Sequence, residues 1–159
     1  MKVSATAIFT TIIALSAIAL EMRLFEIAPV QAVNSRHLSR LLKTNQCQRC
    51  NLTRANLGNL DLSGANLAGA DLTGANLTGA QLVGANLSQA TLNYATLNYA
   101  LLLNANISGA RFQFANLSYA TLFRATALEP ADFSGANLTG TTMPSGKIAE
   151  TEQSQSQSP

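Results

Sequence analysis

Residues 65–79 read ANLAG ADLTG ANLTG, three copies of a five-residue unit that has leucine at its centre and alanine two places earlier. The unit continues in register from Cys50 to Arg124, and only Cys50 and Leu60 replace the alanine. Such a strict internal repeat decides the architecture before any other feature. The central residues are all apolar: Leu52, Leu57, Leu62, Leu67, Leu72, Leu77, Leu82, Leu87, Leu92, Leu97, Leu102, Ile107, Phe112, Leu117 and Leu122.

A period of five excludes both an α-helix and a straight strand. Five residues carry a helix about 140° past a full turn, so the leucines would spiral around it and share no face. An odd period would send alternate leucines to opposite faces of a strand. The chain must therefore bend once per unit, with alanine and leucine facing inward, and pairs such as Ser63-Gly64 and Thr73-Gly74 supply the turn.

These units resemble the A(D/N)LXX motif of the pentapeptide-repeat proteins, as at Ala65-Asn66-Leu67, Ala70-Asp71-Leu72-Thr73-Gly74 and Ala75-Asn76-Leu77-Thr78-Gly79. The resemblance implies an all-β solenoid, a right-handed quadrilateral β-helix with four units per coil. Residues twenty apart would then stack above one another. The repeat covers residues 50–145, and its eighteen units at four units per coil imply four to five coils.

Residues 1–32 have the pattern of an export signal. Lys2 gives a positive start, residues 3–20 form an uncharged and mostly apolar run, and Val30-Gln31-Ala32 suits cleavage after Ala32. Because the apolar run is longer than usual, an uncleaved membrane anchor, and hence a membrane tether, stays open as the alternative.

Residues 33–49 are predicted to cap the first coil. An amphipathic helix is expected from Asn34 to Lys43, with Asn34 or Ser35 as its N-cap and Leu38, Leu41 and Leu42 on one face. Terminal caps protect the open ends of solenoids.

Cys47 and Cys50 are the only cysteines and have C-x-x-C spacing. The residues alone leave open a metal site, a redox-active pair, a structural disulfide and two free thiols. Metal ligands are scarce, because His37 is the sole histidine. Exported cyanobacterial members of the family look similar in this region, and that resemblance favours a Cys47–Cys50 disulfide. No metal and no cofactor is predicted.

The repeat changes register near its end. Ala125 and Ala131 are six residues apart, with Glu129-Pro130 between them, so we predict a register slip at 125–130. Residues 146–159 are polar and of low complexity and are predicted to form a disordered tail. Since no C-terminal cap is evident, we expect the last coil to be blunted by its own chain or covered by a partner, and a homodimer through the C-terminal coil is one such arrangement.

Outward columns of the predicted coil carry apolar and aromatic residues where other units have Gly, Ser, Thr or Asn. These residues either stabilise the ladder by stacking or form a patch for a protein partner. The candidate interaction patch consists of Tyr94, Tyr99, Leu103, Phe114, Tyr119 and Phe123.

Charge and residue inventory disfavour catalysis and nucleic-acid binding. With His37 as the sole histidine, no Ser/His or Cys/His pair can form within the coils. Between Cys50 and Ser145, four acids oppose three arginines, a net charge of −1. That is far from the strongly negative rod with which some members of the family imitate DNA and bind topoisomerases. We predict a non-enzymatic structural or protein-interaction module, exported to the periplasm or the thylakoid lumen.

Overall fold

The structure is a computed structural model, and it describes residues 34–149. The predicted export signal or anchor at 1–32 and residues 150–159 of the predicted tail lie outside the described residues. In the described part, no helix combines the length and apolar character needed to cross a bilayer.

From Asn45 onward the chain winds into a four-sided coil. Parallel β-bridges join residues twenty apart, so each side of one coil pairs with the same side of the next. Hydrogen bonds run to both neighbouring coils: Asn76 N–H donates to Ala55 O (2.9 Å) and Leu77 N–H donates to Thr96 O (2.7 Å). The columns begin at Gln46, Asn51, Asn56 and Asp61, and each passes through five levels.

The alanines and central residues of the units fill the interior. Leu72, Leu92 and Phe112 lie in one column and are fully buried, in agreement with the inward facing predicted from the repeat. Burial of each leucine stabilises the fold by about 1.5–3 kcal/mol relative to exposure. Phe112 also stacks on Phe133 of the next coil, with ring centroids 4.9 Å apart and planes within 8°.

Each corner consists of the two residues after the central one, and the second has a left-handed backbone. Gly74 and Gly79 have φ values of 65° and 64°, which glycine adopts without steric penalty. Asp71 Oδ1 accepts a hydrogen bond from Thr73 N–H (3.0 Å), an Asx turn that begins the corner. The motif therefore assigns a carboxylate or amide to start the turn, an apolar residue to fill the core and glycine to finish the turn.

Within residues 34–149, one α-helix precedes the coil, α1 from Ser35 to Thr44. Asn34 is its N-cap and accepts a hydrogen bond from His37 N–H, while Leu41 is buried in the core cluster and Leu38 packs against it. Leu42 was expected on the same face but is 56% exposed, because one residue past Leu41 turns the helix by about 100°.

The coil begins five residues before the predicted boundary at Cys50. Asn45–Arg49 already forms a unit, since Gln46 bridges to Asn66. Cys47 occupies the central position and Cys50 the alanine position of the next unit, and a disulfide joins the two buried side chains. The sequence did not show this unit because Asn45 and Cys47 replace the usual alanine and leucine.

Near the C-terminal end the bridge spacing changes from twenty to twenty-one, between Asn106–Thr126 and Arg111–Asp132. The extra residue lies in a corner loop where Leu128 is 95% exposed. The chain then turns back on itself through an antiparallel bridge between Thr142 and Ile148. This hairpin pairs part of the last coil with the chain's own return.

Candidate interaction surface

One side of the coil has aromatic side chains at both of its corners. Tyr94 and Phe114 lie at the corner before this side, and Tyr99 and Tyr119 lie at the corner after it. All four side chains are between 55% and 63% exposed. We call this side with its two corners the aromatic face; it consists of residues 94–99 and 114–119.

The rings at each corner stack along the coil axis. The ring centroids of Tyr94 and Phe114 are 5.2 Å apart with planes within 12°, and those of Tyr99 and Tyr119 are 5.4 Å apart with planes within 8°. Because each ring has a neighbour along the axis, the ring edges and the tyrosine hydroxyl groups are the parts left toward solvent. The two columns therefore offer apolar edges and hydrogen-bonding groups together.

All four aromatic residues have a backbone conformation that L-residues disfavour. Their φ values lie between 56° and 61°, at the corner position that glycine holds in many other units. The left-handed conformation costs an L-residue roughly 1–2 kcal/mol. Backbone strain of this kind persists where other interactions or a function compensate for it.

The coil above the aromatic face has glycine at the matching corners. A Cβ atom on Gly135 would lie 2.6 Å from Phe114 Cδ1, and one on Gly140 would lie 2.7 Å from Tyr119 Cδ1. The upper ring of each column is therefore in direct contact with a glycine of the coil above. Only a residue without a side chain leaves room for the rings in this position.

No charged residue lies between the two aromatic columns. The units 75–79, 95–99, 115–119 and 136–140 contain no Asp, Glu, Lys, Arg or His. Their outward side chains are amides and hydroxyls that bond locally: Thr96 Oγ1 donates to Asn76 Oδ1 (3.3 Å), and Asn116 Oδ1 accepts from Ser118 N–H (3.1 Å). The face is thus polar but uncharged in its centre.

The other two residues of the candidate patch lie one corner further along the coil. Phe123 is 36% exposed and Leu103 is half-buried. The Arg124 guanidinium lies over the Phe123 ring, 5.1 Å from its centroid, a cation–π contact. These residues, with exposed Leu101 on the side between, extend the apolar surface beyond the aromatic face.

The aspartates of the coil accept hydrogen bonds within its turns. Asp132 accepts hydrogen bonds from Ser134 Oγ (2.6 Å) and Ser134 N–H (2.9 Å) through Oδ1, and from Gln113 Nε2 (2.7 Å) through Oδ2. The Ser134 bonds, with help from Gln113 and nearby Arg111, hold the pKa of Asp132 below its usual value of 3.8. The pKa of Asp61 is lowered in the same way, by hydrogen bonds from Ser63 two residues further along its own turn.

Elsewhere the described surface shows little that suggests chemistry. Across residues 34–149, no three His, Cys, Asp or Glu side chains come together in a way that could hold a metal ion. A groove of about 430 Å³ runs along a different corner and is lined by Gln48, Arg49, Ala68, Gly69, Ser88 and Gln89. Arg49 is the one ionisable residue among these six, and Gln89 donates a hydrogen bond to Glu129 Oε2 (2.5 Å).

Sequence reasoning found the aromatic columns but missed what supports them. The twenty-residue step pairs Tyr94 with Phe114 and Tyr99 with Tyr119, as the structure has them. The contact of Gly135 with the Phe114 ring was not predicted, because the register slip moves this glycine to a spacing of twenty-one residues. The positive φ of the aromatic residues was also missed, although glycine at the equivalent place of neighbouring units was a signal for it.

The family described as pentapeptide repeats matches residues 50–89 and 85–122 of the chain. Among curated proteins, none matches the chain.

Several solved structures of pentapeptide repeat proteins resemble the chain. A protein from the thylakoid lumen of Arabidopsis thaliana is 31% identical, with 63% of this chain covering 66% of that one and a TM-score of 0.57. A protein from Nostoc Pcc 7120 is 31% identical over 72% of this chain and 78% of its own, with a TM-score of 0.37. Rfr23 from the cyanobacterium Cyanothece 51142 is 24% identical over 73% and 99%, with a TM-score of 0.41.

The repeat motif, the twenty-residue bridge spacing and the leucine-filled interior agree with these matches. Proteins of this family fold as right-handed quadrilateral β-helices and act in general as structural or interaction modules. The chain belongs to the pentapeptide-repeat family.

Proposed function

We propose that the chain is a non-enzymatic protein-interaction module whose binding surface is the aromatic face. The observation that carries the proposal is that four aromatic side chains are more than half exposed while their backbones are strained. Aromatic residues and uncharged centres are typical of interface cores. Tyrosine is also among the residues that most often dominate binding energy.

Fold stability alone gives a weaker reason for the four aromatic residues. A stacked pair contributes about 0.5–1.5 kcal/mol beyond its burial, whereas each left-handed backbone costs roughly 1–2 kcal/mol. The two strained backbones of a pair together cost roughly 2–4 kcal/mol, which is more than the stacking itself provides. Glycine at Gly74 and Gly79, the corners one coil below, forms the same turns without this strain.

A capture experiment tests the proposal. The full chain and its Tyr99→Ser/Tyr119→Ser variant are each used to capture proteins from the host fraction in which the chain accumulates. The partner should be retained by the unchanged chain and lost with the variant, while Leu128→Ser, which removes a fully exposed leucine outside the face, should retain it. Binding that survives the tyrosine pair and a further Phe123→Ser change would refute this role for the surface.

We also propose that the module is exported to the periplasm or the thylakoid lumen. Residues 1–32 have the pattern of an export signal, and the similar Arabidopsis protein is from the thylakoid lumen. An oxidising compartment would keep the Cys47–Cys50 disulfide. Alkylation of the native protein before and after reduction distinguishes the disulfide from two free thiols, and two thiols reactive before reduction would argue against it.

A membrane-tethered scaffold is the second candidate, and it differs only in whether residues 1–32 persist. Their uncharged run is long enough to span a bilayer. Mass spectrometry of the native N-terminus separates the two: a chain that begins after Ala32 supports export with cleavage, and an intact N-terminus supports the tether.

Two further proposals concern the two ends of the coil. We propose that α1 shields the first coil through Leu41 and Leu38, and that the C-terminal coil, where Phe133 and Leu138 are only partly buried, contacts a second copy of the chain.

DNA mimicry is disfavoured, because three arginines nearly balance the four acids from Cys50 to Ser145.

A further inference from the structure

We infer that the aromatic face packs against the aromatic face of a second copy of this chain, side by side. The inference rests on the proposed function, since it names the partner of the same surface. It concerns a flank of the coil and is separate from contact through the C-terminal end. Three properties of the face carry it: its charge, its symmetry and its area.

The charge of the face suits a second copy. Charged residues are depleted in interface cores, because an unpaired charge removed from water costs several kcal/mol. The side between the aromatic columns has no charged residue in the units 75–79, 95–99, 115–119 and 136–140. A copy of this face brings amides and hydroxyls to amides and hydroxyls and leaves no charge to be neutralised.

The positions of the rings suit a twofold axis. Tyr94 and Tyr99 lie in one coil, and Phe114 and Tyr119 lie at the same corners of the next coil. A twofold axis parallel to the coil axis places the Tyr94–Phe114 column of one copy against the Tyr99–Tyr119 column of the other. An axis across the coil, between the two levels, places each column on its own inverted image. Either arrangement matches aromatic edges to aromatic edges, as an isologous contact requires.

The area of the face is of the right order. An aromatic residue has roughly 200 Å² to bury, so four that are 55–63% exposed offer roughly 500 Å². A standard interface buries about 800 Å² on each partner. The remainder has to come from the polar side chains between the columns, among them exposed Thr96 and half-buried Asn116.

The distribution of tyrosine gives this inference a direct test. The chain contains three tyrosines, Tyr94, Tyr99 and Tyr119, and all of them lie on the aromatic face. Photo-oxidation with a ruthenium complex and persulfate couples neighbouring tyrosines into dityrosine. Applied to the full chain in its host fraction, it should give a covalent product of twice the chain mass.

The sharpest variant adds charge without removing a tyrosine. Asn116→Asp places a carboxylate in the centre of the face and keeps the Oδ1 acceptor for Ser118 N–H, as Asp71 does for its own turn. A twofold contact would then bury two unpaired carboxylates, which should weaken association roughly 100-fold and remove the cross-linked dimer. Asn106→Asp is the matched control, because Asn106 Oδ1 accepts from Ser108 N–H (3.0 Å) on another side of the coil.

The outcomes separate this inference from the proposed function. A dimer product that is lost with Asn116→Asp and retained with Asn106→Asp supports the inference. A dimer that survives Asn116→Asp, or the absence of any dimer product, overturns it. If the tyrosines couple only to a different protein, or if capture depends on Tyr99 and Tyr119 while the chain stays monomeric, the inference fails and the proposed function stands. Thermal unfolding of each variant, followed by circular dichroism, checks that the fold is retained.

Discussion

Replacing the tyrosines at 99 and 119 tests the backbone of the aromatic face directly. In most strands and helices, glycine is less stabilising than alanine by about 0.5–1 kcal/mol, because it loses more conformational freedom on folding. At Tyr99 and Tyr119 the order should be reversed. Both residues have φ near 60°, where alanine suffers a clash of roughly 1–2 kcal/mol and glycine does not.

The magnitude follows from these two terms. Relief of the clash exceeds the entropic loss by about 0.5 kcal/mol at each site, so Tyr99→Gly/Tyr119→Gly should be about 1 kcal/mol more stable than Tyr99→Ala/Tyr119→Ala. Both pairs lose the same stack and nearly the same buried area, so those contributions cancel in the comparison. For a folded part of this size the difference corresponds to a melting temperature higher by about 4 °C.

Urea denaturation and thermal unfolding of the two double variants measure this difference. Thr96 provides the control, because it lies in the bridged side of the same unit and its φ is not positive. There, Thr96→Ala should be more stable than Thr96→Gly. An alanine pair at 99 and 119 that equals or exceeds the glycine pair in stability would show that these corners are not left-handed, and the argument from strain would fail.

Three other perturbations follow from the same geometry. Gly140→Ala should destabilise the fold by about 2 kcal/mol, since it adds a left-handed clash and a Cβ atom 2.7 Å from Tyr119 Cδ1. In a Tyr119→Gly background about half of this loss should disappear, which a double-mutant cycle by urea denaturation would measure. An unchanged loss would mean that the Tyr119 ring does not contact this glycine. Phe112→Ala should cost about 3–5 kcal/mol in urea denaturation, because it empties a fully buried position, and a loss below about 1 kcal/mol would contradict a filled interior. Asp132 has its pKa lowered mainly by hydrogen bonds from Ser134. The contribution of Asp132 to stability is therefore present above its usual pKa of 3.8 and is lost as the pH falls through the lower folded value. An acid titration of unfolding should show this loss in the unchanged chain and not in Asp132→Asn, and identical profiles would refute the prediction.

The core of the fold could be predicted from three positions of the unit. Alanine, the central leucine and the Asn or Asp between them fix the inward pair and the Asx turn, so Leu72 and Leu92 could be placed in one buried column before any coordinates. The ends could not be placed as well. Cys47 fills a leucine position and Asn45 an alanine position, and neither substitution can be recognised from the motif.

The candidate surface could be located from the sequence, but the main reason to regard it as a binding surface came from the backbone conformation of its aromatic residues. The column rule brings Tyr99 and Tyr119 together, and the structure stacks them. The A(D/N)LXX motif leaves the last place of the unit unspecified, so the motif gives no reason to regard an exposed tyrosine there as unusual. The φ values near 60° show that this place disfavours tyrosine, because the clash arises from a backbone dihedral angle that the spacing of the motif does not specify.

The left-handed backbone alone does not single out the aromatic residues, but their positions do. The same backbone conformation occurs at Arg49, Arg54, Gln89 and Arg124. Asparagine at Asn59 and Asn104 tolerates the left-handed region better than most residues, so those corners need no further explanation. Aromatic residues lack this tolerance, yet all four lie on the two corners that flank one uncharged side. Their restriction to adjacent corners of two successive coils is what a contact surface of fixed size requires.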